Sequence, residues 1–209
     1  MPEALNENEL ILIAQRLQAI AQTGLTYTKD IYDSERYESL MLIAERLLSA
    51  RFDLPEEALK ALHKAENGYA TPKTDVRAII LNKGKLLLVR ESDDGGWSLP
   101  GGWADVGDSP ATAIIREVRE ETGLTARVSR LLGVWDRNQH GHPPYPWHVY
   151  KMIFLCEVVG GELAISHESL DIRYFDPENL PELSLTRIVP EEIEVSIRTA
   201  REDSPTWYD

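Results

Sequence analysis

The sequence predicts an α/β fold, a mixed sheet between helices, preceded by a small all-α region. Three observations carry this. Apolar residues recur at helical spacing over residues 1–68. From Lys73 the period changes to two, with Val76, Ala78 and Ile80 alternating. Within the two-fold pattern, residues 109–123 read as a capped helix, which makes an order of strands, helix, strands, helix.

The elements follow in order. Leu10, Ile13, Ala14, Leu17, Ile20 and Ala21 mark a first amphipathic helix. The stretch Gly24–Asp33 is expected to break it, with Asp33 or Ser34 capping the next. Tyr37, Leu40, Ile43, Ala44, Leu47 and Leu48 mark the second. Asp53-Leu54-Pro55-Glu56-Glu57 starts a third, and Asn67-Gly68 stops it. Such short helices need a partner surface. Residues 69–72 form a linker. Asn82-Lys83-Gly84 is a turn between two strands, the second over Lys85–Arg90, and Trp97–Leu99 is a short strand entering a glycine loop. Further strands are expected over Ala126–Asp136, His148–Val159 and Ile172–Phe175, with Gly160-Gly161 as a hairpin turn and Pro190–Glu202 as a closing helix. Domain boundaries are expected at 1–68 and 69–209.

Composition excludes several classes. A lone cysteine, Cys156, rules out a disulfide framework and reads as a buried thiol. No apolar run reaches membrane-spanning length, and the N-terminus lacks the charged lead and apolar core of a signal, so a cytoplasmic protein is expected. A net charge of −13 opposes binding to long nucleic acid. A chain this acidic would need to gather cations locally before it could handle anions.

The segment Pro100–Leu124 does that. Gly101-Gly102 forms a turn, Ser109 is an N-cap with Pro110 at the first helical position, and Gly123 stops the helix. Glu117, Glu120 and Glu121 fall on one helical face. A Glu-rich solvated face is the ordinary reading of such a triplet. The spacing of its surroundings decides against it. Gly102, Asp108, Arg116, Glu117, Val118, Glu120, Glu121, Gly123 and Leu124 resemble the Nudix box: a glycine, five residues, an acid, seven residues, then Arg-Glu-apolar-x-Glu-Glu-x-Gly-apolar. Asp108 departs from the pattern, which has Glu there, and Asp105 stands where many members carry Glu.

The resemblance implies a Nudix α/β/α sandwich that hydrolyses the pyrophosphate of a nucleoside diphosphate linked to another moiety, with Mg²⁺ or Mn²⁺ as cofactor. It implies the Gly101 carbonyl, Glu117 and Glu121 as metal ligands and Glu120 as a secondary one. Arg116 is expected to orient a carboxylate by a bidentate pair. Gln18–Tyr27, Lys29–Asp33, Gly68–Lys73 and Leu99–Gly107 further resemble a subgroup that includes CDP-choline pyrophosphatases and ADP-ribose pyrophosphatases. That implies a homodimer in which residues 1–68 support the interface or the substrate site.

Other candidates come from position. Asp136–His148 reads as a loop over a site, with Arg137 for phosphate and Tyr145 or Trp147 for base stacking. His140 and His142 raise a zinc site but have no cysteine nearby. Arg77 stands near the expected floor of the site and Trp103 at its wall, both as substrate-binding candidates against ordinary packing roles. Glu168, with Asp171 behind it, is the candidate general base, which completes a catalytic set of Glu168, Glu120 and Arg116. The alternative functions are a nucleotide-pool or RNA-processing enzyme, and a non-catalytic ADP-ribose sensor. The sensor would carry a basic DNA-binding segment, whereas residues 1–68 hold twelve acids and seven bases.

Overall fold

The computed structural model describes residues 6–52, 68–166 and 169–209. The third N-terminal helix expected from Asp53, and Glu168, lie outside the described residues. Two compact units emerge, one of Met1–Pro72 with Pro144–His148, the other of Lys73–Pro143 with Val149–Asp209. The first unit therefore takes in the linker and five residues of the 136–148 loop, beyond the expected 1–68.

In the first unit, α1 spans Glu7–Tyr27 and α2 Ile31–Phe52. Asn6 and Glu9 cap α1 reciprocally, the Asn6 side chain accepting from the Glu9 amide and the Glu9 carboxylate from the Asn6 amide. The break expected within Gly24–Asp33 falls at Thr28–Asp30, later than its glycine. α1 continues through Gly24 because the missing side chain admits the Tyr37 ring of α2, which a Cβ would meet at 2.4 Å. Asp30 caps α2, its Oδ1 accepting from the Tyr32 and Asp33 amides, in the role expected of Asp33 or Ser34. Ile11, Ala14 and Leu48 pack together, and Ala21 and Ala44 are also fully buried. Ile13, Ile20, Ile43 and Leu47, counted in the sequence among the same apolar faces, are exposed.

In the second unit, β1 (Lys73–Asn82), β2 (Lys85–Glu91), β3 (Trp97–Ser98), β4 (Gly101–Trp103), β5 (Leu124–Asp136), β6 (Val149–Gly161), β7 (Ser169–Phe175) and β8 (Trp207–Tyr208) form a mixed sheet with α3 (Pro110–Thr122) and α4 (Pro190–Arg201). The path runs β3-β2-β1-β6-β5-β8, with β4 on β1 and β7 on β2. β1 and β6 are parallel, and their flanking partners β2 and β5 antiparallel. Strand alternation sorts the core into two layers. Val76, Ala78, Ile80, Phe154 and Cys156 pack with Ala113, Ile114 and Val118 of α3. Ile79, Leu132 and Ile153 pack with Ile188 and with Ile193 and Ile197 of α4. The result is the expected α/β/α sandwich.

Gly160-Gly161 is not a hairpin turn. β6 runs through it, pairing Gly160 with Thr125 and Gly161 with Leu124, and a Cβ at Gly161 would fall 2.5 Å from the Gly123 carbonyl oxygen. Gly161 allows this close backbone approach. Cys156 is a buried free thiol, as expected, and burial pushes its pKa up to about 12. No helix among the described residues is long and apolar enough to cross a membrane.

Candidate active site

Every part of the site is placed by β1, the glycine turn and α3. Ser109 caps α3, its side chain accepting from the Thr112 amide, and Gly123 ends it. The caps fix the rotation of the helix, which turns Ala113, Ile114 and Val118 into the core and leaves the box carboxylates toward the turn. β4 carries that turn as an antiparallel neighbour of β1, with Arg77 opposite Gly101 and Val76 opposite Gly102.

Two carboxylates converge on the turn. Glu121, 7% exposed, accepts a hydrogen bond from the Gly101 amide at 2.8 Å. Glu117 lies over Gly102, where a Cβ would stand 3.0 Å from its Oε2. Burial pushes the Glu121 carboxyl up to about 8, against the pull of Arg77 and of the Gly101 amide. Burial also raises Glu117, with the negative Glu120 adding to the shift and Arg116 opposing it.

Gly101 itself has φ +141, and a Cβ there would lie 2.0 Å from the Val76 carbonyl oxygen. Gly101→Ala is therefore expected to destabilise the protein by roughly 2–3 kcal/mol or more and to displace the turn. Thermal unfolding checks this, and a melting temperature within a degree of wild type would contradict it.

Arg116 differs from its expected role. Instead of one bidentate pair it forms a hub: Nε to Asp108 at 3.1 Å, Nη1 to Glu117 at 2.8 Å and Glu120 at 2.9 Å, Nη2 to Asp105 at 3.2 Å. The planar fork of donors permits this, and four acids around one guanidinium leave no room for a single chelate. Asp108, one methylene shorter than the Glu of the pattern, still reaches it. Glu120 is half-exposed on the outer side, and the exposed Trp103 lends its carbonyl to Arg116 at 3.4 Å.

Arg77 is nearly fully buried and bound to Asp75 through Nε and Nη2, and to Ser98 Oγ and the Leu99 carbonyl through Nη1. It acts as a fixed positive charge behind Glu121 rather than an open phosphate hook. Arg137 is buried in a short 3₁₀ turn, Arg137–Gln139, and donates to the carbonyls of Pro143 and Thr186. Its guanidinium closes that loop, which takes it out of the substrate set. His140 faces Asp209 and Glu191, whereas His142 is hydrogen-bonded to the Leu185 carbonyl and Glu192, so the two imidazoles serve separate partners and share no zinc. Tyr145 belongs to the first unit, its ring 5.5 Å from that of Trp147. Asp171 pairs with Arg173.

Sequence reasoning missed a buried charge chain. Asp75, Lys151 and Glu192 are all nearly inaccessible, with Lys151 Nζ 3.4 Å from Asp75 and 3.5 Å from Glu192. Burial pulls Lys151 down, against Glu192 and Asp75; burial likewise opposes ionisation of Glu192 and Asp75, yet their cations win and hold both carboxyls low. A signal existed: Lys151 shares strand parity with Val149 and Ile153, which are core positions. Glu91 was missed too. It is buried at the end of β2, paired with Arg187 at 3.0 Å and within electrostatic range of both Arg77 and Glu121.

The donor set fits a divalent ion. Two carboxylates meet one backbone turn, and desolvation makes both seek positive charge. Among the described residues no three His, Cys, Asp or Glu side chains form a ready-made cage.

Comparison with known proteins decides the family. Residues 71–196 match the NUDIX domain. The chain belongs to the Nudix family. Residues 8–63 match the UDP-X-like N-terminal oligomerisation domain. A Nudix relative from Bacillus subtilis (strain 168), described as a putative ADP-ribose pyrophosphatase, is 40% identical over 197 residues, which is 94% of this chain and 95% of the relative. A solved UDP-X diphosphatase is similar over 98% of this chain and all of its own, with 36% identity and a TM-score of 0.64. An ADP-ribose pyrophosphatase from Streptococcus suis 89-1591 matches over 66% of this chain and all of its own, with 36% identity and a TM-score of 0.61. The chain is a Nudix pyrophosphatase, a hydrolase of phosphorus-containing anhydrides, and Nudix hydrolases generally use divalent metal ions.

Proposed function

We propose that this enzyme hydrolyses the pyrophosphate bond of ADP-ribose, with Mg²⁺ or Mn²⁺, to AMP and ribose 5-phosphate. CDP-choline and UDP-linked compounds are the competitors. The observation that carries the reaction is the convergence of Glu117 and Glu121 on the Gly101-Gly102 turn. A bound divalent ion would screen the phosphate charge and acidify the attacking water. Glu117 and Glu121 would hold it, with the Gly101 carbonyl beside them and Glu120 outside. Arg116 keeps Glu117 and Glu120 in place, and Arg77 fixes the position of the turn and the charge behind Glu121. The exposed Trp103 would wall the substrate. Support for ADP-ribose comes from the Bacillus subtilis relative named for it, which matches nearly the whole chain. The buried thiol Cys156 suits a reducing cytoplasm.

A panel of ADP-ribose, CDP-choline, UDP-sugars and deoxynucleoside triphosphates, each with Mg²⁺, Mn²⁺ or a chelator, tests this. ADP-ribose should give the highest kcat/KM, and the chelator should abolish it. Preference for triphosphates would shift the reading to a nucleotide-pool enzyme. Metal-saturated enzyme that binds ADP-ribose without cutting it would support a sensor.

The same reading makes residues 1–68 the interface of a homodimer. Ile13 and Ile20 are seven residues apart on α1, Ile43 and Leu47 four apart on α2, and all four are exposed in one copy. The double variant Ile20→Glu with Ile43→Glu should sediment as a monomer at micromolar concentration, because two charges per copy cannot be buried together. An unchanged dimer would place the interface elsewhere.

A further inference from the structure

A second concave site lies wholly within the first unit. α1 brings Gln15, Gln18 and Gln22 to one face, and Trp147 and Arg16 line the same hollow. Two of the glutamines hold the scaffold. Gln15 Nε2 donates to the Tyr145 carbonyl at 2.9 Å, and Gln22 Nε2 donates to the Gly68 carbonyl at 3.2 Å. Gln18 is different. It is half-buried and uses one N–H to reach Gln22 Oε1 at 2.6 Å. Its second N–H and its Oε1 have no partner among the described residues.

A carboxamide with one donor and one acceptor side by side matches the N6 and N7 positions of adenine, the pairing by which Gln reads that base. The Trp147 ring beside it is a stacking surface, and base stacking on an aromatic face is worth about 1–3 kcal/mol. Arg16 is exposed and forms no ion pair among the described residues, although the chain carries net charge −13. Such a cation at the rim suits a phosphate. The cavity of about 120 Å³ is smaller than the roughly 300 Å³ needed for a drug-sized ligand, so it takes one ring system and leaves the rest of a nucleotide outside.

We propose that this hollow is an adenine-binding site, with Gln18 reading the ring edge, Trp147 stacking on its face and Arg16 meeting the attached phosphate. The occupant is a separate adenine nucleotide that binds as an effector, independently of the substrate cut in the second unit.

Titration calorimetry of the full-length protein with adenosine, cytidine and uridine tests the site. Wild type should prefer adenosine, and Gln18→Leu should weaken adenosine roughly 10-fold or more while leaving the melting curve unchanged. Trp147→Leu should weaken all three nucleosides; should it fail to fold, the half-exposed Gln18 still decides. Equal affinity for the three nucleosides in wild type, or unaltered adenosine affinity in Gln18→Leu, overturns the proposal. Steady-state kinetics supplies a second readout. Lost adenosine binding in Gln18→Leu with an unchanged KM for ADP-ribose supports the effector, whereas a raised KM at constant kcat overturns it. Failure of the ADP-ribose reading looks different again: wild type binds adenosine and does not turn ADP-ribose over.

Discussion

Glu121→Gln is expected to lower turnover by at least ~10²-fold at saturating Mg²⁺, because it removes the charge of the most buried carboxylate at the glycine turn. The amide keeps the shape and still accepts from the Gly101 N–H, so the fold should persist. It should in fact gain stability. Burial raises the Glu121 carboxyl from 4.5 to about 8 in the metal-free protein. An acid raised in this way binds its proton more tightly when folded, so the contribution of Glu121 to stability is fullest below pH 4.5 and is lost as the pH climbs to about 8. Glu117 and Glu91 are raised too and add to the fall. The variant lacks the Glu121 share. Its metal-free melting temperature should exceed that of wild type by a margin that widens from pH 5 to pH 8, and Mg²⁺ should stabilise wild type more than the variant. Near-normal turnover in Glu121→Gln would remove it from the ligand set. A margin independent of pH would show that the carboxyl is not desolvated as the fold implies.

This pairing of lost activity with gained stability explains why the box was readable in sequence and its support was not. Ser109, Pro110 and Gly123 announce α3 locally, through caps that need nothing beyond the helix itself. The spacing of Gly102, Glu117 and Glu121 likewise survives in one dimension. The buried chain of Arg77, Asp75, Lys151 and Glu192 does not. Its members lie on β1, β6 and α4, far apart in sequence, and each looks alone like a solvated charge. Glycines misled for the opposite reason. In sequence Gly24 opens the stretch that reads as a break and Gly161 reads as part of a turn, yet each serves close packing, of a tyrosine ring in one case and of backbone in the other. A glycine's spelling does not say whether it supplies a turn or an empty space. Arginines are similar: Arg137 in its short turn and Arg77 on β1 differ from a phosphate ligand only in the carbonyls and carboxylates that the fold brings to them.

Glu168→Gln is expected to lower kcat by roughly 10²–10⁴-fold with little change in KM. The attacking water needs a proton acceptor, and the described acids near the turn are already engaged. Glu117, Glu120, Asp105 and Asp108 surround Arg116, and Glu121 holds the Gly101 amide. Glu168 lies outside the described residues, but its chain neighbour is informative. Ser169 begins β7 opposite Glu91, and Glu91 is within electrostatic range of Glu121. The chain therefore enters β7 at the end of the sheet that holds the site. If Glu168 is the base, the deficit of the Gln variant should shrink as pH rises and hydroxide replaces the missing acceptor. A pH–rate profile matching wild type in height and shape would move the role away from Glu168. The second choice from sequence, Asp171, and Glu91, which is buried within electrostatic range of Glu121 with its carboxyl raised by burial, would then be the carboxylates to replace.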